Sequence, residues 1–228
     1  MGLFIPNHKL LILAPPKAGS VFVLETIRFR LDELEIQCLD YASVGLPEHR
    51  PRYEWERALN AKGFSTNNLH VISWCRNPFS RVKSFFEFAQ LDSDFSPWWH
   101  PEYAVERKGL LTQEQWFAET HDHGTDFNSW SSYYIASHHG MSESSVTEPT
   151  IYGTLENSEL LFALIQDVCP ALRPISFLGK KNDGNTLKRE YGAKIVKSAL
   201  VIDQAAIAAI SHKWREEIIR FGYVPPGE

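Results

Sequence analysis

Cysteine, long apolar runs and excess positive charge are all scarce in this chain, and each scarcity excludes a class of protein. The three cysteines are far apart, so they form neither a disulfide framework nor a CxxC metal pair, and they favour a reducing, cytoplasmic setting. No stretch approaches the roughly 18 apolar residues that a membrane-spanning helix needs. The net charge of −5 argues against a protein that holds nucleic acid through a broad positive field.

The composition is that of an ordinary globular protein. Hydrophobic residues make up 43% of the chain and charged residues 22%, which excludes a disordered chain or a coiled coil. At about 150 residues per domain, the length allows one domain or two small ones, and we expect a single domain over 1–228. Within it, residues 91–150 form an irregular segment that holds four of the seven tryptophans, and we expect most of these rings to lie in a core.

Apolar runs and helical periodicity predict that strands and helices alternate through the first ninety residues. Such alternation is typical of an α/β protein with a parallel sheet. Strands are predicted at 9–14, 36–41, 69–75 and 150–155. Helices are predicted at 20–34, at 53–62, from Asn77-Pro78 onward, at 157–168 and after Asp203, which would cap one final helix.

The first segment whose residues suggest a binding site is the loop Pro16-Lys17-Ala18-Gly19-Ser20, between the first predicted strand and helix. Backbone N–H groups at the positive end of a helix form a ready site for an anion. Gly19 lets the backbone approach a phosphate closely, Lys17 adds a full charge, and Ser20 caps the helix and offers its hydroxyl. The alternative is an ordinary turn with a surface lysine, since the Walker pattern GxxxxGK[ST] is absent.

The second segment is Arg76–Ser84, which reads RNPFSRVKS and follows a predicted strand directly. Arg76 is therefore expected at the carboxyl edge of the sheet, where open α/β sheets bind ligands. The window holds three cations and no acid, and Arg81 and Ser84 share a helix face. The alternative is a solvated, basic start of a helix.

Taken together, the two loops resemble the sulfotransferases that use 3′-phosphoadenosine 5′-phosphosulfate (PAPS). A strand–PKxGS–helix unit comes first, and a strand–RxPxxRxxS–helix unit follows about 60 residues later. The tail resembles the carbohydrate-type branch through Tyr152–Glu156 (YGTLE), an amphipathic helix, and Arg220–Tyr223 (RFGY). The resemblance implies a three-layer α/β/α fold of the P-loop NTPase-like kind, with a central, mostly parallel sheet. It also implies transfer of a sulfonate to a hydroxyl of a carbohydrate or small metabolite, with 3′-phosphoadenosine 5′-phosphate (PAP) as the other product. One or two of the aromatic rings in 91–150 are then expected to line the acceptor site.

The resemblance further implies roles for single residues. Lys17 would neutralise charge on the leaving phosphate, and Arg76 and Ser84 would hold the 3′-phosphate, for which the guanidinium fork is suited. Phe22 takes the place of an aromatic residue that stacks on adenine in some members, whereas Val21 stands where the family often has Ser or Thr. A basic, Gly-bounded loop near 180 would close over the nucleotide, or is an exposed turn. The residues expected to bind the donor are Lys17, Ala18, Gly19, Ser20, Val21, Phe22, Arg76, Ser84, Lys180 and Lys181.

Transfer to a hydroxyl also needs a base for the acceptor proton. In the family this is a Glu, Asp or His between the two loops, often just after the second strand. Asp40 ends the predicted second strand, and His49 and Glu48 in the following loop compete with it for this role. Glu35 is less favoured, because it should lie at the opposite end of the strand. The sequence leaves the choice open.

Two other functions remain open at this point. A P-loop-like nucleotide kinase or NTPase would need a lysine after the glycine pair, which is missing, and an acid at a strand end for magnesium, for which only Asp40 is available. A non-catalytic nucleotide-binding module is the third reading. No metal is expected, since the paired histidines near 121 and 138 lack helical ligand spacing. No nucleic-acid or membrane partner is expected either, and the sequence does not define an oligomeric state.

Overall fold

The computed structural model describes residues 1–15, 17–46, 50–89, 148–174, 202 and 204–226, apart from the side chains of 85–89. The chain divides into two compact units. The first comprises 1–77 and 140–181, and the second 78–139 and 182–228. The predicted Pro16, Glu48, His49, Lys180, Lys181 and Asp203, and residues 91–147 of the aromatic-rich segment, lie outside the described residues.

The first unit is built on a five-stranded sheet of β1 (Gly2–Ile5), β2 (Leu10–Leu13), β3 (Leu39–Asp40), β4 (His70–Cys75) and β5 (Ile151–Thr154). The strand order is β3-β1-β2-β4-β5. The β2–β4 and β4–β5 pairs are parallel, whereas β1 is antiparallel to both of its neighbours. The sheet is therefore mixed, and among the described strands only β1 opposes the direction of the others. The α/β class predicted from the sequence is confirmed.

Helices cover both faces of this sheet. Alternate strand residues such as Ile12 and Trp74 join a buried cluster with α1 (Ser20–Glu33) and α4 (Ser158–Val168). The intervening residues, such as Leu11 and Val71, pack with Trp55 and other residues of α2 (Arg52–Ala61). The two-residue period of a strand sends neighbouring side chains to opposite faces, which explains why these runs are apolar throughout.

Two predicted strands differ from the observed ones. The strand predicted at 36–41 is limited to Leu39–Asp40, because only these two residues pair, with Phe4 and Leu3 of β1. The strand β1 itself was not predicted. It pairs with β2 through a tight hairpin, in which a single 3-10 turn leads to Lys9 in the left-handed region at φ 46°. All four residues of β1 are buried, and Leu3 and Ile5 are fully buried in the core.

The second unit contains the described helices α3 (Pro78–Ala89), α5 (Gln204–Lys213) and α6 (Arg215–Phe221). The prediction of one final helix after 203 is wrong, because the buried Trp214 separates two helices there. The ring of Trp214 packs beside the guanidinium of Arg81, whose Cζ lies 5.9 Å from the ring centroid. None of the helices in the described ranges is both long and apolar enough to span a membrane.

Candidate functional site

The candidate site lies in the first unit, at the carboxyl edge of three parallel strands. Leu13, the last residue of β2, is in register with Ser73 of β4 and Tyr152 of β5, so β4 and β5 end level at Cys75 and Thr154, two residues beyond the end of β2. Each strand is followed by a segment that the sequence marks: 15–20 after β2, Arg76-Asn77 after β4 and Leu155-Glu156 after β5. The carboxyl edge of adjacent parallel strands is where α/β sheets bind ligands.

The 15–20 loop has an unusual backbone. Lys17 and Gly19 both adopt the left-handed conformation, with φ of 58° and 71°. Gly19 is the N-cap of α1, and the prediction that Ser20 caps this helix is corrected, since Ser20 is its first residue. The Ser20 hydroxyl instead donates to the carbonyl oxygen of Pro15, which closes the loop on itself.

The start of α1 favours a negatively charged partner. No side chain caps this helix, because its N-cap is a glycine, and its first turn contains no acidic residue. The N–H groups of a first helical turn have no acceptor within the helix, and the helix dipole adds positive potential there. With the Lys17 ammonium on the preceding loop, the segment has the local charge that a phosphate or sulfonate would select.

Three side chains contact the loop, one from β4 and one each from the segments that follow β4 and β5. The indole N–H of Trp74 donates to the carbonyl oxygen of Ala18 at 2.6 Å, and Nη1 of Arg76 donates to the carbonyl oxygen of Lys17 at 3.1 Å. The side chain of Leu155 packs so closely on Gly19 that a Cβ there would lie 2.8 Å from Leu155 Cδ1. These contacts hold the loop against the end of the sheet. Trp74 was predicted only as part of a buried strand, and Leu155 only as part of the YGTLE resemblance, so neither contact with the loop was predicted.

Arg76 is half-buried and faces the loop that Lys17 belongs to. The adjacent Asn77 donates its backbone N–H to Glu156 Oε1 at 2.8 Å. The predicted partner Ser84 is half-buried in α3, which belongs to the second unit. Arg81, counted from the sequence among the cations of this window, is fully buried, so it adds no charge to an exposed surface.

The two side chains at the start of α1 differ in surroundings. Val21 is 39% exposed. Phe22 is half-buried and makes an edge-to-face contact with Phe162 of α4, with ring centroids 6.5 Å apart. The Phe22 ring therefore already contacts another side chain of the first unit, and its stacking on adenine stays a prediction.

Asp40, one of the three proposed bases, lies on the edge strand β3. The register puts it opposite Leu3, which in turn faces Ile12, so it is two strand spacings, roughly 10 Å, from β2. Its carboxylate accepts the backbone N–H and the hydroxyl of Ser43 at 2.8 and 2.7 Å, and Arg28 Nη2 lies 3.3 Å away. The Ser43 hydroxyl, followed by its N–H and by the Arg28 charge, lowers the pKa of Asp40. A carboxylate held in this way is a weaker base, and the identity of the general base stays a prediction.

Asp40→Asn is expected to destabilise the protein at neutral pH and to have less effect in acid. The unfolded-state pKa of an aspartate is about 3.9 and the folded-state pKa of Asp40 is lower, so its stabilisation is present above about pH 4 and is lost as the pH falls through the lowered value. Melting temperatures measured from pH 7 downward should converge for wild type and variant. In a Ser43→Ala background, Asp40→Asn should lower the melting temperature by less. A melting-temperature difference between wild type and Asp40→Asn that widens on acidification would contradict a lowered pKa for Asp40.

Comparisons with known proteins add no assignment. No protein-family model, curated protein or solved structure matches the chain. Within the described residues, no three His, Cys, Asp or Glu side chains converge on a position that would hold a metal ion. The order of the motifs and the geometry at the ends of β2, β4 and β5 are therefore the features that point to a function.

Proposed function

We propose that this chain is a sulfotransferase that moves a sulfonate from PAPS to a hydroxyl group of a carbohydrate or small metabolite. The observation that carries the proposal is the 15–20 loop, where Lys17 precedes a left-handed Gly19 at the uncapped start of α1. Arg76, from the next parallel strand, donates to the carbonyl oxygen of Lys17. Arg76, the first residue of the second motif, thus contacts the loop of the first motif.

The residues of the loop suit the charged end of the donor. Backbone N–H groups at the start of α1 and the Lys17 ammonium favour the oxygens of a 5′-phosphosulfate. In the reaction, the acceptor oxygen forms a bond to sulfur, the bond from sulfur to the 5′-phosphate oxygen breaks, and a base takes the acceptor proton. Lys17 would stabilise the negative charge that grows on the departing phosphate oxygen. Asp40, His49 and Glu48 remain the proposed bases.

The helices on both faces of the sheet support the finer fold expectation, a three-layer α/β/α arrangement of the P-loop NTPase-like kind. The order of the site residues favours a sulfonate donor over a nucleoside triphosphate. A Walker loop places its lysine after the second glycine, at the start of the helix, whereas Lys17 comes two residues before Gly19. An NTPase remains an outcome of the tests below.

Arg76→Ala is expected to weaken PAP binding by about 10- to 100-fold, because it removes a charge-assisted contact to the 3′-phosphate. Binding of AMP, which lacks that phosphate, should fall less, so the preference for PAP over AMP should shrink. Titration calorimetry with both nucleotides measures this ratio. Arg57→Ala, which removes an exposed arginine of α2, is the matched control and should leave both affinities unchanged. An unaltered ratio in Arg76→Ala would remove Arg76 from the 3′-phosphate site.

The reaction itself is tested with PAPS labelled with ³⁵S in the sulfonate, offered with panels of saccharides and small hydroxyl compounds. The proposal predicts that label moves to an acceptor while an equal amount of PAP is released. Release of γ-phosphate from ATP with PAPS left intact would instead support the NTPase reading.

A further inference from the structure

Leu155 and Glu156, the two residues after β5, contact both loops of the candidate site. Leu155 packs on Gly19 of the 15–20 loop, and Glu156 accepts the backbone N–H of Asn77, next to Arg76. We propose that this pair is a positioning clamp that holds the two donor-binding segments in register. The inference rests on the proposed function for the identity of the ligand, but the contacts themselves do not depend on it.

Leu155 links the 15–20 loop to the sheet. Its backbone N–H donates to the carbonyl oxygen of Cys75 at 2.8 Å, which extends the β4–β5 pairing by one residue beyond the strands. Its two methyl groups would lie 2.8 and 2.9 Å from a Cβ on Gly19, so the loop and this side chain are in tight contact. A smaller residue at 155 would leave the left-handed turn at Gly19 with less support on that side.

Glu156 contacts the Arg76-Asn77 segment that follows β4. Its Oε1 accepts the Asn77 N–H at 2.8 Å, and the two residues are 79 positions apart in the chain. A carboxylate is the wrong charge to bind a phosphate directly, so its place beside Arg76 fits a role in orienting the backbone. A charge-assisted hydrogen bond of this length is stronger than a neutral one, and it fixes the peptide that precedes the α3 helix.

Hydrogen bonds also hold the turn that carries Leu155 and Glu156, between β5 and α4. The backbone N–H of Asn157 donates to Thr154 Oγ1 at 3.3 Å, and Asn157 Oδ1 accepts the N–H of Leu160 at 3.2 Å as the N-cap of α4. Leu155 and Glu156 thus lie in a turn that is tied at one end to β5 and at the other to a helix. A rigid turn can transmit a fixed position to both loops, whereas a loose one cannot.

The test compares Glu156→Ala with Glu156→Gln, because glutamine keeps an oxygen that can accept the Asn77 N–H. Positioning predicts that Glu156→Ala lowers PAP affinity by about 5- to 10-fold, whereas Glu156→Gln stays within about twofold of wild type. A base role predicts the opposite pattern, in which Glu156→Gln loses kcat with the KM for PAPS unchanged, and this would overturn the proposal. Glu159→Ala, an exposed glutamate in the first turn of α4, is the control and should bind PAP as wild type does.

Amide hydrogen exchange separates the clamp from the proposed function. Without nucleotide, the Asn77 amide should exchange faster in Glu156→Ala than in wild type. The amides of the 15–20 loop should exchange faster in Leu155→Ala than in wild type. Exchange unchanged at both places would overturn the clamp, even if PAP binds. Faster exchange in a protein that does not bind PAP would leave the clamp in place and overturn the sulfotransferase assignment. Melting curves without ligand confirm that each variant is folded.

Discussion

Lys17→Ala is expected to lower kcat by about 100- to 1,000-fold and to weaken PAP binding far less. A group that neutralises charge as it develops contributes to the transition state more than to the bound ground state, and loss of one such group typically costs this much. The backbone should be undisturbed, because Lys17 and alanine meet the same constraint at φ 58° and the carbonyl oxygen that accepts from Arg76 remains. The measurement is steady-state turnover of PAPS beside calorimetric titration of PAP.

Two comparison variants make this result specific. Lys17→Arg keeps the charge with a different shape, so it should recover part of the lost rate. Lys62→Ala removes an exposed lysine at the C-cap of α2 and should turn over as wild type does. If Lys17→Ala retains near wild-type kcat, the leaving-group role belongs to another residue, and if PAP affinity falls as much as the rate, Lys17 only binds the donor.

Gly19→Ala is expected to destabilise the protein by about 2–5 kcal/mol and to abolish measurable PAP binding. A residue with a Cβ costs roughly 1–2 kcal/mol in the left-handed region, and forcing a methyl group into a packed contact costs about 1–3 kcal/mol more. Gly19 meets both conditions, with φ 71° and Leu155 Cδ1 2.8 Å from the new Cβ. Chemical denaturation measures the stability, and titration with PAP measures the site.

The chain supplies a close control for this substitution. Gly45 has φ 77° but nothing within 4 Å of an added Cβ, so Gly45→Ala should cost the backbone strain alone, about 1–2 kcal/mol. The excess cost at Gly19 then measures the contact with Leu155. In a Leu155→Ala background that excess should disappear, which is a double-mutant cycle for the pair. If both Gly→Ala substitutions lower the free energy of unfolding equally, the Leu155 side chain can move aside and its contact with residue 19 adds nothing to the cost.

Local patterns were sufficient to predict the elements that carry the site. The helical spacing of Leu24, Ile27 and Leu31 predicted α1 to within one residue of its observed end, and all three side chains are buried. The β-branched and aromatic run before Arg76 predicted β4. In both cases one short stretch of sequence contains the signal, because burial of one helix face or of a whole strand dictates its composition.

The contacts that shape the site could not be predicted in this way. The bond from Trp74 to Ala18 spans 56 positions and that from Asn77 to Glu156 spans 79, so neither leaves a local pattern. The strand β1 was missed because its four residues are defined by pairing with β2 rather than by any boundary signal. Ser20 was assigned as the cap from residue preference, whereas the left-handed turn places the cap at Gly19.

The most direct test of the central claim is a calorimetric comparison of PAP with ADP on the wild-type chain without metal. The two nucleotides have the same atoms and number of phosphates, and they differ only in whether the second phosphate is on the 3′-oxygen or on the 5′-phosphate. We expect PAP to bind at least about tenfold more tightly than ADP, a difference of about 1.4 kcal/mol in binding free energy. Equal or tighter binding of ADP, or no binding of PAP, would contradict it.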